Sequence, residues 1–279
     1  MQTKVLAIND ISCVGRCSLT VALPIISSVG LECSILPTAI LSTHTGGFTG
    51  YTFLDMTEEM NKISDHWLSL NRKYDAIYTG FLGSKEQVEV VVNIVNKFKG
   101  NNKIIVDPAM ADNGKLYGLF DDAFPNEMKK LCLIGDYILP NITEACLLTG
   151  YEYKQNNHTD EYINGLINAL QKEGMKNIIL TGVSKQDGRI GAICFNYETK
   201  EQTFYDLDII PGYYHGTGDV FASVFTSSLM KGKTLEESTK ISVDVTVASI
   251  KETLKYKDID VKYGVCFEEV LPLLIDKVK

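Results

Sequence analysis

One pattern recurs through most of this chain: a helical stretch, a glycine, then a short run of apolar, often β-branched residues. Helical periodicity over 18–29 stops at Gly30, over 85–97 near Gly100, over 125–133 at Gly135, over 143–148 at Gly150 and over 160–173 at Gly174, while 55–71 is amphipathic. A glycine just past a helix supplies the residue that closes its last turn. The apolar runs fall at 4–8, 32–36, 76–79, 103–106, 137–139, 177–180 and 190–195. Strands alternating with helices predict an α/β fold, a central mostly parallel β-sheet flanked by helices on both faces. Runs 190–195 and 202–208, separated by a polar turn, predict a hairpin, and helical segments from 219, over 234–255 and over 267–279 complete the chain. No Pro/Gly/Ser-rich linker or charge block divides residues 1–279, so one domain is expected.

Composition excludes several function classes. Lysines and arginines form no basic run and the net charge is −8, which argues against nucleic acid as a partner. No apolar run approaches the ~18 residues of a membrane span. The first residues pass from Met-Gln-Thr-Lys into a four-residue apolar run, too short for a signal peptide core. The seven cysteines include no CxxC and their number is odd, so free buried thiols in a reducing, cytoplasmic setting are expected.

In such sheets ligands bind beyond the carboxyl ends of the strands. After the first strand, Asn9 to Arg16 reads as a polar loop that either caps a helix or binds a ligand, with Ser12 in it. After the second, Leu41-Ser42-Thr43-His44-Thr45-Gly46-Gly47-Phe48 crowds small hydroxyls, a histidine and two glycines. After the third, Gly80-Phe81 offers close backbone approach and a ring able to stack on a planar ligand or to join the core. Asp107 ends the fourth strand, where an unpaired buried charge is costly, so a metal, a cation or a set of amides should face it. Asn141 and Glu144 open the next helix in a capping-box spacing, and both are also oxygen donors suited to Mg²⁺ through water. Thr181-Gly182-Val183-Ser184 follows the sixth strand, as a phosphate contact or a plain turn.

The sharpest element is Gly216-Thr217-Gly218-Asp219, followed by an apolar run over 220–230. It reads as a loop feeding a buried helix. The first amides of a helix lack intrahelical partners and the helix dipole makes that end positive, so glycines there let an anion reach bare backbone. A carboxylate beside an anion hole is what phosphoryl transfer to an alcohol requires. The six-residue spacing of a Walker loop is missing around Gly80-Lys85, and a dinucleotide fingerprint lacks its third glycine.

These residues resemble a known group. Gly216-Thr217-Gly218-Asp219-Val220-Phe221 resembles the second signature of the ribokinase-like superfamily, and Asn141-x-x-Glu144 its magnesium-associated motif. Ser42-Thr43-His44-Thr45-Gly46 is similar to the S-N-H-T-G/Q loop of the vitamin B6 kinases, Thr79-Gly80-Phe81 to their T-G-Y/F, and Val106-Asp107-Pro108 with Asp112 to their D-P-x-x-G-D. The resemblance implies a ribokinase-like sheet with a small or absent lid, and ATP-dependent phosphorylation of the 5′-hydroxymethyl group of pyridoxal, pyridoxine or pyridoxamine. It implies Asp219 as base, the amides of Gly216, Thr217 and Gly218 as anion hole, and Asp107, Asn141 and Glu144 around Mg²⁺ and ATP, with Asp107 and Glu144 serving the metal. Thr181 and Thr217 would touch the nucleotide, and Ser12, Leu41, Thr45 and Phe81 would line the ring pocket beside Asp219. A homodimer is implied, and whether a monovalent cation such as K⁺ assists stays open. Ile8-Asn9-Asp10-Ile11-Ser12 departs from the B6 pattern and looks more like the D-P-S-G opening of hydroxymethylpyrimidine kinases, and Ala111-Asp112 stands for Gly-Asp. The alternative substrate is therefore hydroxymethylpyrimidine or its phosphate. A nucleotide-binding dehydrogenase and a non-catalytic binding module are the alternatives from other classes.

Overall fold

In the first strand, β1 (Lys4–Val14), Val5 and Ala7 join one apolar cluster and Leu6 and Ile8 another. The same split repeats along the sheet, because successive side chains of a strand point to opposite faces. Two helical layers cover those faces, which is why the strands read as unbroken apolar runs.

The computed structural model describes residues 2–279. After β1 come α1 (Leu19–Ser28), β2 (Glu32–Thr43), β3 (Phe53–Asp55), α2 (Thr57–Ser69), β4 (Ala76–Thr79) and α3 (Lys85–Lys97). Then follow β5 (Lys103–Val106), the hairpin β6 (Ala111–Asp112) and β7 (Lys115–Leu116), α4 (Phe124–Ile134), β8 (Tyr137–Ile138), α5 (Ile142–Thr149) and α6 (Asp160–Lys172). The chain ends with β9 (Asn177–Val183), β10 (Arg189–Phe195), β11 (Gln202–Asp208), α7 (Thr217–Met230), α8 (Leu235–Thr253) and α9 (Leu271–Val278). The main sheet has the order β11-β10-β9-β8-β5-β4-β1-β2-β3. Its middle six strands, β9 to β2, pair in parallel; β3, β10 and β11 add antiparallel edges, and β10–β11 is the expected hairpin. Helices α2 to α6 cover one face, and α1, α7, α8 and α9 the other. Helix α7 is the most enclosed: Phe225 is fully buried, a contribution of ~1.5–3 kcal/mol for a side chain of that size. No helix among the described residues is long and apolar enough to cross a membrane.

Three differences from the sequence expectation bear on the site. The segment read as a polar loop after residue 8 continues as strand to Val14, pairing with an equally extended β2 so that Ser12 stands opposite Leu41. Its register slips between Asn9 and Ile11, a bulge that re-aims a side chain without ending the strand. Polar residues can occupy this stretch because β4 stops pairing at Ile8, leaving one flank of the extension open. Thr181, placed after the sixth strand, lies within β9. All seven cysteines are free and most are buried, as expected, but Cys17 and Cys33 are only partly covered and Cys13 is exposed.

Candidate active site

The glycine loop forms the start of α7 as the sequence suggested. Gly216 is the N-cap in a left-handed conformation, φ 76°, and no side chain caps this helix. Among the described residues the amides of Thr217, Gly218 and Asp219 find no acceptor; the first to bond is Val220, to the Gly216 carbonyl. The loop is braced from behind. A Cβ on Gly216 would lie 2.2 Å from the Arg16 carbonyl oxygen, and the His215 carbonyl accepts from the Val265 amide. Thr217 turns its hydroxyl back onto the Tyr214 carbonyl, 3.1 Å away. The free amides, the dipole and the open space over Gly218 make this end a receptor for an anion.

Asp219 sits one turn into that helix, partly covered. Burial pushes its carboxyl above the ordinary range, opposed by the Ser18 amide, the Cys17 thiol, the His44 ring and the Asn9 side chain. The Cys17 Sγ donates to Oδ2 at 3.3 Å. Asn9 is buried on β1; its Oδ1 accepts from the amides of Asp10 and Phe81, and its nitrogen packs so tightly on Gly80 that a Cβ there would lie 2.2 Å away. Asp10 is buried beside it and accepts from the hydroxyls of Ser12 and Ser18; burial lifts its pKa to about 6.

Asp107, at the end of β5, is buried, and no hydrogen bond reaches its carboxylate among the described residues. Burial, then Glu144, then Asp219, raise its pKa far above the carboxylate range. Glu144 is also buried, with a pKa raised to about 8 by burial, yet its oxygens are occupied. Oε1 accepts from the amides of Met110 and Ala111 at 3.1 and 3.4 Å, and Oε2 from the Asn141 amide at 2.9 Å. Asn141 completes the capping box of α5 and donates to the Ala111 carbonyl, so this pair pins the start of the β6–β7 hairpin. Thr181 bridges to Asn141 across the strand ends, through its amide on the Pro140 carbonyl. The three acids Asp107, Glu144 and Asp219 thus share one electrostatic field at the carboxyl edge of the sheet.

On the far side of Asp219, Ser12 and Leu41 are buried as strand partners, and Thr45 and Phe81 are partly exposed. Phe81 sits 5.8 Å from the Phe120 ring. His44 accepts from the Gly46 amide at Nδ1 and donates from Nε2 to the Lys262 carbonyl. It stacks 4.8 Å from His215, whose pKa burial lowers. Tyr213 packs edge-on against His215 and donates to Asp112, joining the glycine loop to the β6–β7 hairpin. The carboxyl ends of the strands and the loops after them carry the residues singled out by sequence, with Ser12 and Leu41 beneath the surface. Asn9 and Asp10 enter the sequence reading only within the loop from Asn9 to Arg16, and Cys17, Ser18 and Tyr213 carry no site role in it. A buried carboxylate and two serines within nine residues of a strand end was the available signal for the first four.

A model of the phosphomethylpyrimidine kinase family matches residues 23–263. The pyridoxal kinase of Dictyostelium discoideum is 28% identical over 87% of this chain and 82% of its own length. A putative phosphomethylpyrimidine kinase from Bacteroides thetaiotaomicron, solved in an orthorhombic form with pyridoxal, superposes with a TM-score of 0.92 at 36% identity, covering 98% of this chain and 96% of that one. Pyridoxal kinase from Lactobacillus plantarum superposes with a TM-score of 0.90 at 28% identity, covering 99% and 97%.

Proposed function

The chain belongs to the phosphomethylpyrimidine kinase family, and from that premise we propose that it is a pyridoxal kinase, transferring the γ-phosphoryl group of ATP to the 5′-hydroxymethyl group of a B6 vitamer. The observation that carries the reading is the uncapped start of α7, with three free amides beside the Asp219 carboxylate. Asp219 takes the hydroxyl proton as the oxygen attacks phosphorus and the bond to the leaving ADP oxygen breaks. Its proton affinity, raised by burial, suits a base that acts late in a loose transition state. The free amides of Thr217 and Gly218, with that of Gly216 before them, meet the charge on the equatorial oxygens.

Asp107 suits Mg²⁺, being a buried carboxylate with no protein donor, and Mg²⁺ needs only one or two carboxylates beside water and phosphate. Glu144, its lone pairs mostly engaged by amides, would help hold the ion from a second rank, and the ion when bound would supply charge neutralisation for the phosphates. Asn141, Thr181 and Thr217 line the nucleotide side. Phe81 and Thr45 present the face on which a flat ring stacks, with Ser12 and Leu41 supporting it from below. A single ribokinase-like unit over 1–279, acting in the cytoplasm as a homodimer, completes the proposal.

The second reading is hydroxymethylpyrimidine kinase, favoured by the family match itself and by Asn9-Asp10-Ile11-Ser12. Steady-state assays with pyridoxal, pyridoxine, pyridoxamine and hydroxymethylpyrimidine test both. The proposal expects the highest kcat/KM for a B6 vitamer; a preference for hydroxymethylpyrimidine overturns it.

A further inference from the structure

Cys17 and Ser18 lie between β1 and α1. Ser18 has φ 58° and ψ −128°, a conformation non-glycine residues seldom adopt and one that persists where surrounding contacts impose it. What the bend achieves is visible in its contacts. The Ser18 amide faces Asp219, the Ser18 hydroxyl donates to Asp10, and the preceding residue aims its thiol at Asp219 Oδ2, 3.3 Å away. Two consecutive residues thereby hand donors to one carboxylate, and the second is anchored to another buried acid. A simple helix cap would use the serine hydroxyl on its own helix, and α1 has no such side-chain cap.

We infer that the Cys17–Ser18 elbow is a positioning element for Asp219, its thiol and amide holding the carboxylate in the orientation from which it takes the substrate proton. The thiol has one proton and one oriented acceptor. Burial, then the charges of Asp219 and Asp10, push its pKa well above the ordinary thiol value, so it stays a donor throughout the working pH range. The other groups facing Asp219 are Asn9 and Asp10 from β1, His44 beyond β2, the Tyr78 hydroxyl from β4 and Asp107 from β5. Of these only Asn9 and His44 favour its ionised form, which makes the loss of a donor from the elbow measurable.

The inference rests on the kinase reading. Its test is the pH profile of kcat/KM for pyridoxal in the full-length wild type, Cys17→Ser and Cys17→Ala, with melting temperatures recorded in parallel. Removing a donor to the charged form raises the pKa of the base, so the acid limb moves to higher pH. Cys17→Ala is expected to shift it by about one unit, the scale of one hydrogen bond to a charged group. Cys17→Ser, which keeps a donor on a shorter stem, stays nearer to wild type. An acid limb that does not move in folded Cys17→Ala, or that moves alike in both variants, overturns the inference while leaving the kinase reading intact. Wild type that phosphorylates none of the hydroxymethyl heterocycles instead sinks the reading beneath it.

Discussion

Two helices begin at the same edge of the sheet and treat their first amides in opposite ways. At α5, Asn141 and Glu144 satisfy each other in a capping box, and the remaining oxygen of Glu144, Oε1, accepts from the Met110 and Ala111 amides. At α7, Gly216 offers no side chain and three amides are left without acceptors. A capped helix start has its amides satisfied from within, whereas an uncapped one leaves them to water or to a ligand. The difference teaches that the same local element, a polar loop feeding a helix N-terminus, divides here between a start closed on its own side chains and one left open to an anion.

The largest expected effect comes from the carboxylate beside the open terminus. Asp219→Asn should lower kcat by roughly 10²–10⁴-fold, the usual span for a positioned base, in a variant that still folds. Near-normal turnover in a folded variant would place the base elsewhere. The two glycines of the same loop should then separate. Gly218 faces open space, so Gly218→Ala should leave the melting temperature unchanged or slightly raised, yet lower kcat/KM by about 10²-fold through displacement of the bound phosphoryl group. Gly216 is left-handed and its Cβ would strike the Arg16 carbonyl, so Gly216→Ala should cost more than about 1 kcal/mol of stability before any catalytic effect is read. If Gly218→Ala is as active as wild type, the open terminus is not the anion site.

How much of this contrast was legible in the sequence follows from what each motif needs. Gly216 to Asp219 and Asn141 to Glu144 are local: the spacing of a cap, a glycine or a carboxylate along one helix start is written in consecutive residues. The alternation of glycine-stopped helices and apolar strands is local as well, and it delivered the parallel sheet. The extension of β1 to Val14 was not, because polar residues there form strand only by pairing with Pro37 to Thr43 of β2. The donors to Asp219 were hidden for the same reason. Cys17 lies 202 residues from Asp219, and only the packing of α1 against α7 brings them together.

The acids beside the two termini sharpen the comparison further. Asp10 is buried near the open end, with a pKa raised from 3.8 to about 6. A raised folded-state pKa means the native protein holds that proton more tightly than the unfolded chain. The associated stability is complete below about pH 4 and is lost as pH rises through 6. Asp10→Asn cannot ionise, so it should be more stable than wild type by on the order of 2–3 kcal/mol above that window and little different below it. Urea unfolding at both ends of the window measures this. Equal differences at both pH values would show that Asp10 is paired well enough to ionise without penalty.

The smallest effect should come from the capped helix, and it decides whether the cap is structure alone. Asn141→Ala removes the acceptor for the Glu144 amide and the donor to the Ala111 carbonyl. Loss of such a cap costs about 1 kcal/mol, read as a fall of a few degrees in melting temperature. The second contact adds a directional consequence. Without it the Met110–Ala111 turn is tied to α5 by Glu144 alone, so the nucleotide side of the site loosens while the ring side, built on β1, β2 and β4, is untouched. The KM for ATP should therefore rise several-fold more than the KM for pyridoxal. Equal changes in the two constants would mean that Asn141 stabilises the whole sheet edge, and the division between a structural and a receiving helix start would not hold.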